Sequence, residues 1–297
     1  MTGMTRMTRM TGTTEPLLLG AVAYDPKVVT IWTGFRSWLT ARGLPFDFVL
    51  YAHYERQAED LAAGRLHAAW HSPLAWVRSQ RLAAAQGTPL RPLVMRDTDR
   101  DLRSVIVVRA DARHRRPADL KGETVATGAV DSPQSTLLPL ARLREHGLRP
   151  GEDFRVLRHD TGVGLHGDHI GGERDAARAL MSGEAAAACL SDASWLLFAQ
   201  DGTLPPGATR PLDRTGPYDH CVLAVGHAAD PDLADGLGRL LRSMDHADPE
   251  VRHLLDLEGL TAWLPGRTGG FAALAAAVTE AGHYDERGRI TAPEYAP

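Results

Sequence analysis

Ten residues, His166 to Asp175, hold a dense set of reactive side chains: His166 and His169, the carboxylates of Asp168, Glu173 and Asp175, and Gly167, Gly171 and Gly172. An apolar stretch reading as a strand, Phe154 to Leu157, precedes them, and a stretch reading as a helix, Asp175 to Met181, follows. Ligands in open α/β sheets gather beyond the carboxyl ends of strands, where loops run into helix N-termini whose free N–H groups favour anions. Glycine lets backbone come close to a ligand there. The plainer reading is a polar, glycine-rich surface loop, and the sequence leaves both open.

Other reactive groups stand at expected strand ends. They are Tyr24; Tyr51, His53 and Tyr54; Trp70, His71 and Ser72; Asp192; and Tyr218, Asp219, His220 and Cys221. A further set, Ser132, Gln134, Ser135 and Thr136, falls at an expected helix start, where hydroxyls and an amide beside free N–H groups suit a phosphate, sulfonate or carboxylate. An ordinary N-cap is the alternative. If two lobes close on a cleft, His71, His166, His169, Glu173 and His220 can converge. Of these, His166, His169, Glu173 and His220 form a nitrogen and oxygen set suited to a divalent metal such as Zn, Fe or Mn. The competing reading is a polar cleft whose histidines hydrogen-bond an anionic ligand. His71, at a strand-to-helix turn, is a candidate general base or ligand contact. Cys221 beside His220 hints at a thiolate nucleophile, but neighbours on a strand point to opposite faces, so the pair is expected not to meet.

Positioning these groups takes a sizeable fold. The chain has 297 residues, 43% of them hydrophobic, which favours two lobes over one core. Its formal net charge of -4 comes from interspersed charges and offers neither a basic stripe for nucleic acid nor a polybasic membrane anchor. A small-molecule partner is expected instead. Two cysteines are too few for a disulfide framework and fit a reducing cytoplasm. Residues 1–14 read as a disordered leader without the apolar run of an export signal, and no stretch is apolar enough to insert into a membrane. A cytoplasmic location follows as an expectation.

Strands and helices alternate with short connections from Leu17 onward, which predicts an α/β fold with parallel, doubly wound sheet. Leu17 to Ala23 reads as a strand, and Ile31, Phe35, Trp38 and Leu39 mark one face of the helix after it. Arg96 to Arg103, with six charges in eight residues, reads as a solvated turn. The pattern restarts after Lys121. Asp201 to Pro217 reads as a long return connection and Tyr218 to Val225 as a strand. Residues 15–103 with 213–297 are thus expected to form lobe one, and 104–212 lobe two.

From about Leu17 to Leu260 the chain resembles the phosphonate and phosphate type of periplasmic solute-binding protein. The stretch Tyr54 to Trp70 is similar to that family's tyrosine-led helix, glycine and strand. Ser104 to Asp111 followed by Pro117-Ala118-Asp119-Leu120-Lys121-Gly122 resembles its hinge strand and the turn after it. Asp131 to Pro139 resembles its anion-binding helix start, and Asp175 to Asp192 its next helix, turn and strand. The resemblance implies the type II two-lobe fold, with a small anionic molecule held in the interlobe cleft by hinge closure; whether a permease is a partner the sequence leaves open. Glu173 stands about where the family has a cleft histidine, and the His166 to Gly172 loop has no counterpart in the generic pattern. Two functions are therefore weighed: a binding protein for a small anionic metabolite, and an enzyme on the same fold, metal-dependent or not. The first is the primary expectation.

Overall fold

The structure is a computed structural model that describes residues 15–167 and 170–295. The expected leader and the pair Asp168 and His169 lie outside the described residues.

The chain opens with β1 (Leu17–Val22), α1 (Lys27–Ala41), β2 (Phe46–Tyr51), α2 (Tyr54–Ala62), β3 (Ala68–His71), α3 (Pro73–Gln86) and β4 (Arg91–Arg96). It crosses into β5 (Ser104–Arg109), β6 (Thr124–Thr127), α4 (Leu138–Glu145), β7 (Arg155–Arg158), α5 (Gly171–Ser182), β8 (Ala187–Ser191), α6 (Asp192–Gln200) and β9 (Thr209–Arg214). It then returns through β10 (Val222–Val225), α7 (Pro231–Arg242), α8 (Pro249–Glu258), β11 (Trp263–Pro265) and α9 (Ala272–Glu280).

Two sheets result. The six-stranded sheet of lobe one has the order β11-β4-β10-β3-β1-β2, and the five-stranded sheet of lobe two has the order β7-β6-β8-β5-β9. The expected wholly parallel sheet is corrected to a mixed one. β1 runs parallel to β2 and β3, but β10 is antiparallel to β3 and β4. In lobe two, β5 is antiparallel to β8 and β9. The cause is the double crossing: β5 and β10 each enter their sheet from the side facing the other lobe, against strands that end there.

Packing explains the rest. Helix α1 buries Ile31, Phe35, Trp38 and Leu39, as their spacing predicts, together with Val28 and Trp32. This face joins β1, β2 and α7 in the lobe-one core, where each large apolar side chain contributes about 1.5–3 kcal/mol of burial free energy. β9 lies inside the stretch expected to be a connection; its Pro211 and charged residues hide the strand pattern, but as an edge strand it tolerates both.

The C-terminal segment does not simply complete lobe one. α9 packs against α3 of lobe one and α4 of lobe two. One apolar cluster unites Leu74 and Val77 of α3, Val130, Leu137 and Leu138 of lobe two, and Leu274, Val278, Tyr284 and Tyr295. Arg78 and Arg81 of α3 hold this strap by its backbone: Arg78 Nε donates to the Gly288 carbonyl at 2.9 Å and Arg81 Nη1 to the Tyr284 carbonyl at 2.6 Å.

Candidate functional site

His166 carries the insertion loop of lobe two into lobe one. It is fully buried and sits in the left-handed backbone region at φ 53°, unusual for a residue other than glycine and of the kind that recurs at functional sites. Asp131 holds that backbone: its Oδ2 accepts from the N–H groups of Gly164 at 2.9 Å and His166 at 3.0 Å. The imidazole stacks on Tyr54, ring centroids 4.9 Å apart. Its Nδ1 lies 2.9 Å from Ser72 Oγ, the N-cap of α3, and its Nε2 lies 2.6 Å from Glu55 Oε1 and 2.7 Å from the Tyr295 hydroxyl. That hydroxyl also donates to Glu55. An ionised carboxylate only accepts, so Nε2 carries a hydrogen.

Burial works against the Glu55 charge, but the His166 ring and the Tyr295 hydroxyl outweigh it and hold the carboxyl down to about 2. Glu55 lies in the first turn of α2, where the helix dipole also favours an anion. His283 is pushed down to about 4 by burial and by His166 beside it. Its ring lies 4.7 Å from that of Tyr295. The cluster thus joins both lobes and the C-terminal strap.

A second group adjoins it from lobe two. Pro133–Leu137 forms a π-helical turn ahead of α4, a form often found at functional sites. Ser132 caps it, its Oγ accepting from Ser135 N–H at 3.3 Å and standing 2.7 Å from Ser135 Oγ. Gly128 lies close against this hydroxyl, so that a Cβ at that position would displace Ser135 Oγ. Gln134 Nε2 donates to the Gly167 carbonyl at 2.8 Å and lies 3.4 Å from Glu173 Oε1. Glu173 Oε2 accepts from Ser191 N–H at 2.7 Å, and burial pushes its carboxyl up. Several buried polar atoms around this junction, Thr136 Oγ1, Gln134 Oε1, Asp131 Oδ1 and Glu55 Oε2, make no hydrogen bond among the described residues.

The structure groups Tyr54 and Ser72 with His166, and Gln134 with Glu173 and the Gly167 carbonyl, while Ser132, Ser135 and Thr136 share the turn that carries Gln134. Other expected residues stand apart. Tyr24 is half-buried against the lobe-one core. His53 is exposed at the start of α2 and makes no capping bond. Asp192, at the start of α6, accepts from the next backbone N–H, of Ala193. His71 is a correction: its ring stays within lobe one, with Nε2 2.9 Å from Ser79 Oγ and the Trp76 ring edge-on. Burial pushes it down to about 3, so it is neutral and sequestered, unsuited to act as a base in the cleft. The metal set is corrected too. His169 lies outside the described residues, and His166, Glu173 and His220 do not form a common group, because His166 is locked to Glu55 and Glu173 to the β8 end.

His220 instead lies 3.1 Å from Cys221 Sγ, contrary to the expectation that the two side chains cannot meet. The strand begins only at Val222, so the alternation of faces does not apply. Nor is Arg96 to Arg103 simply solvated: Asp99 is buried and paired with Arg96 at 2.6 Å, which against burial holds its carboxyl at about 2. Sequence reasoning missed Glu55, Asp131, His283, Tyr284 and Tyr295. Glu55 adjoins Tyr54 and Asp131 adjoins Ser132, a signal within reach; the strap residues carried none, lying far along the chain from their partners.

Residues 21–268 match the family described as phosphonate ABC transporter, periplasmic substrate-binding protein. The chain belongs to that family. Solved structures of similar fold include PhnD1 from Prochlorococcus marinus in complex with methylphosphonate, 14% identical, with a TM-score of 0.62 over 90% of this chain and 98% of that one. XAC2383 from Xanthomonas citri, solved bound to ATP, is 18% identical, with a TM-score of 0.66 over 90% and 98% of the two chains. The aliphatic sulphonate-binding protein SsuA from Escherichia coli is 19% identical, with a TM-score of 0.52 over 90% and 92%. No curated protein matches in sequence. As a member of the phosphonate-binding family, this chain is a solute-binding protein with the type II two-lobe fold.

Proposed function

We propose that the chain binds a small anionic molecule, a phosphonate, phosphate ester, sulfonate or carboxylate, at the junction of its lobes. The observation that carries this reading is the π-helical turn at Pro133–Leu137, where Ser132, Gln134, Ser135 and Thr136 are all buried although one cap would suffice. Tyr54 and Ser72 of lobe one contact His166, whose neighbour Gly167 accepts a hydrogen bond from Gln134 of the turn. Helix N-terminal amides and hydroxyls favour an anion, and Glu55 and Asp131 supply acceptors for any donor group it carries. The expected outcome of a thermal-unfolding screen is a higher Tm with at least one of methylphosphonate, inorganic phosphate, methanesulfonate and acetate. A ligand at a hundred times its Kd adds about 2.7 kcal/mol. If none of the four exceeds an ionic-strength-matched chloride control, the reading is wrong.

The second part of the proposal is a cytoplasmic setting, supported by the use of only two cysteines, Cys189 and Cys221, both buried and not joined in a disulfide. Cell fractionation is expected to recover the protein with cytoplasmic markers, and recovery with periplasmic markers contradicts this part alone. A permease partner accords with the family whatever the compartment.

A further inference from the structure

Asp99 lies on the segment leaving lobe one, between β4 and β5, and His220 and Cys221 lie on the segment returning, between β9 and β10. The two crossings run side by side: Leu102 N–H donates to the Tyr218 carbonyl at 2.9 Å, Tyr218 N–H to the Leu102 carbonyl at 2.9 Å, and His220 N–H to the Asp99 carbonyl at 2.8 Å. This backbone pairing brings three side chains of different donor chemistry together. A His220 nitrogen, Cys221 Sγ and an Asp99 carboxylate oxygen all lie within 4.8 Å of one another, the only such set among the described residues. Asp99 and Cys221 are buried, and His220 is partly exposed, which gives solvent access on one side.

We propose that Asp99, His220 and Cys221 form a zinc-type metal site across the two interlobe crossings. One sulfur, one nitrogen and one oxygen donor make three of the four positions of a tetrahedral ion, with the fourth open on the His220 side. The thiolate favours Zn(II) over harder ions such as Mg(II) or Ca(II). Binding takes the proton of the Cys221 thiol to solvent and requires a neutral imidazole. Arg96 does not bar the ion. Its Nε lies 2.6 Å from Asp99 Oδ2 and its Nη2 2.9 Å from Oδ1, and a carboxylate has about four lone-pair sites, so Oδ1 keeps one on the side of His220 Nδ1, 3.5 Å away. The guanidinium then orients the ligand carboxylate, as outer partners of metal ligands do. Metal here would clip the outgoing crossing to the returning one and so stiffen the hinge.

The test is titration of the full-length, chelator-treated and reduced protein with Co(II), followed by Zn(II). The expected result is one equivalent of Co(II) bound with a near-ultraviolet thiolate charge-transfer band, bleached as Zn(II) displaces it. C221S is expected to abolish the band and C189S to keep it, because Cys189 lies in the lobe-two core. His220→Gln and Asp99→Asn are each expected to weaken binding by at least the ~10–100-fold that loss of an outer partner costs. Circular dichroism and Tm identify any variant that fails to fold, and for such a variant the remaining ones decide. No thiolate band in the wild-type protein, or a band that folded C221S retains, overturns the proposal.

Discussion

His166 is the residue through which the lobes speak to each other. Its ring reaches Glu55 and Ser72 of lobe one and Tyr295 of the strap, while its backbone hangs from Asp131 of lobe two. Removing one partner of a buried hydrogen bond to a charged group costs about 1.5–3 kcal/mol, mostly because the other is left unsatisfied. H166A is therefore expected to destabilise the protein by about that amount, and a double-mutant cycle with E55Q to return a coupling of about 0.5–3 kcal/mol. The pair also predicts a pH window. The folded value of Glu55, about 2, lies below its ordinary 4.5, so its contribution is complete above pH 4.5 and fades as pH falls toward 2. His71, held at about 3 against an ordinary 6.5, adds an earlier loss, since below pH 6.5 the unfolded chain takes up a proton that the folded one refuses. Denaturant unfolding across pH 2 to 7 checks both: E55Q is expected to reduce the loss below pH 4.5, the remainder belonging to groups such as Asp99, and to leave the loss that begins below pH 6.5 in place. A coupling near zero, with an unchanged acid limb in E55Q, would show that His166 is a bystander.

Among the elements, legibility followed local signal. The aromatic face of α1 and the strand Leu17–Val22 were plain in the sequence because periodicity is encoded within a few residues. The strand Thr209–Arg214 was not, since an edge strand need not alternate and here contains proline. Sheet direction was also hidden: that β5 and β10 run against their neighbours depends on the crossings between lobes, not on local pattern. The site was half legible. Ser72, Ser132 to Thr136 and His166 announce themselves by residue type beside expected helix starts. Tyr295 reaches Glu55 across 240 positions of sequence, and Cys221 meets His220 because the strand starts at Val222 and not at Tyr218 as the sequence suggests. Such facts belong to tertiary structure. The charged run Arg96 to Arg103 misled for a related reason, since six charges read as solvated until partners on other segments, Glu258 and His220, are brought beside them.

At the scale of the whole molecule, two sheets joined by two crossings are held together by His166, by the shared apolar cluster and by the strap from α9 to Tyr295. Binding proteins of this architecture enclose a small ligand by moving one lobe against the other, so the contacts that bridge the lobes set how much of the closed form exists before ligand arrives. In this chain those contacts include charged and hydrogen-bonded groups beside the proposed anion site, which ties closure to the chemistry of the cleft. The most direct test is calorimetric titration of whichever anion raises the Tm, against the wild-type protein and the double variant Ser135→Ala with Thr136→Val. One binding site is expected in the wild type, with affinity lower by about 1–3 kcal/mol in the variant, the usual worth of hydrogen bonds to a charged group, and the Tm of the ligand-free variant reads separately what the lost Ser132–Ser135 hydrogen bond costs the fold. Equal affinity in the two proteins would contradict the account, because the anion would then bind away from the start of the Pro133–Leu137 turn.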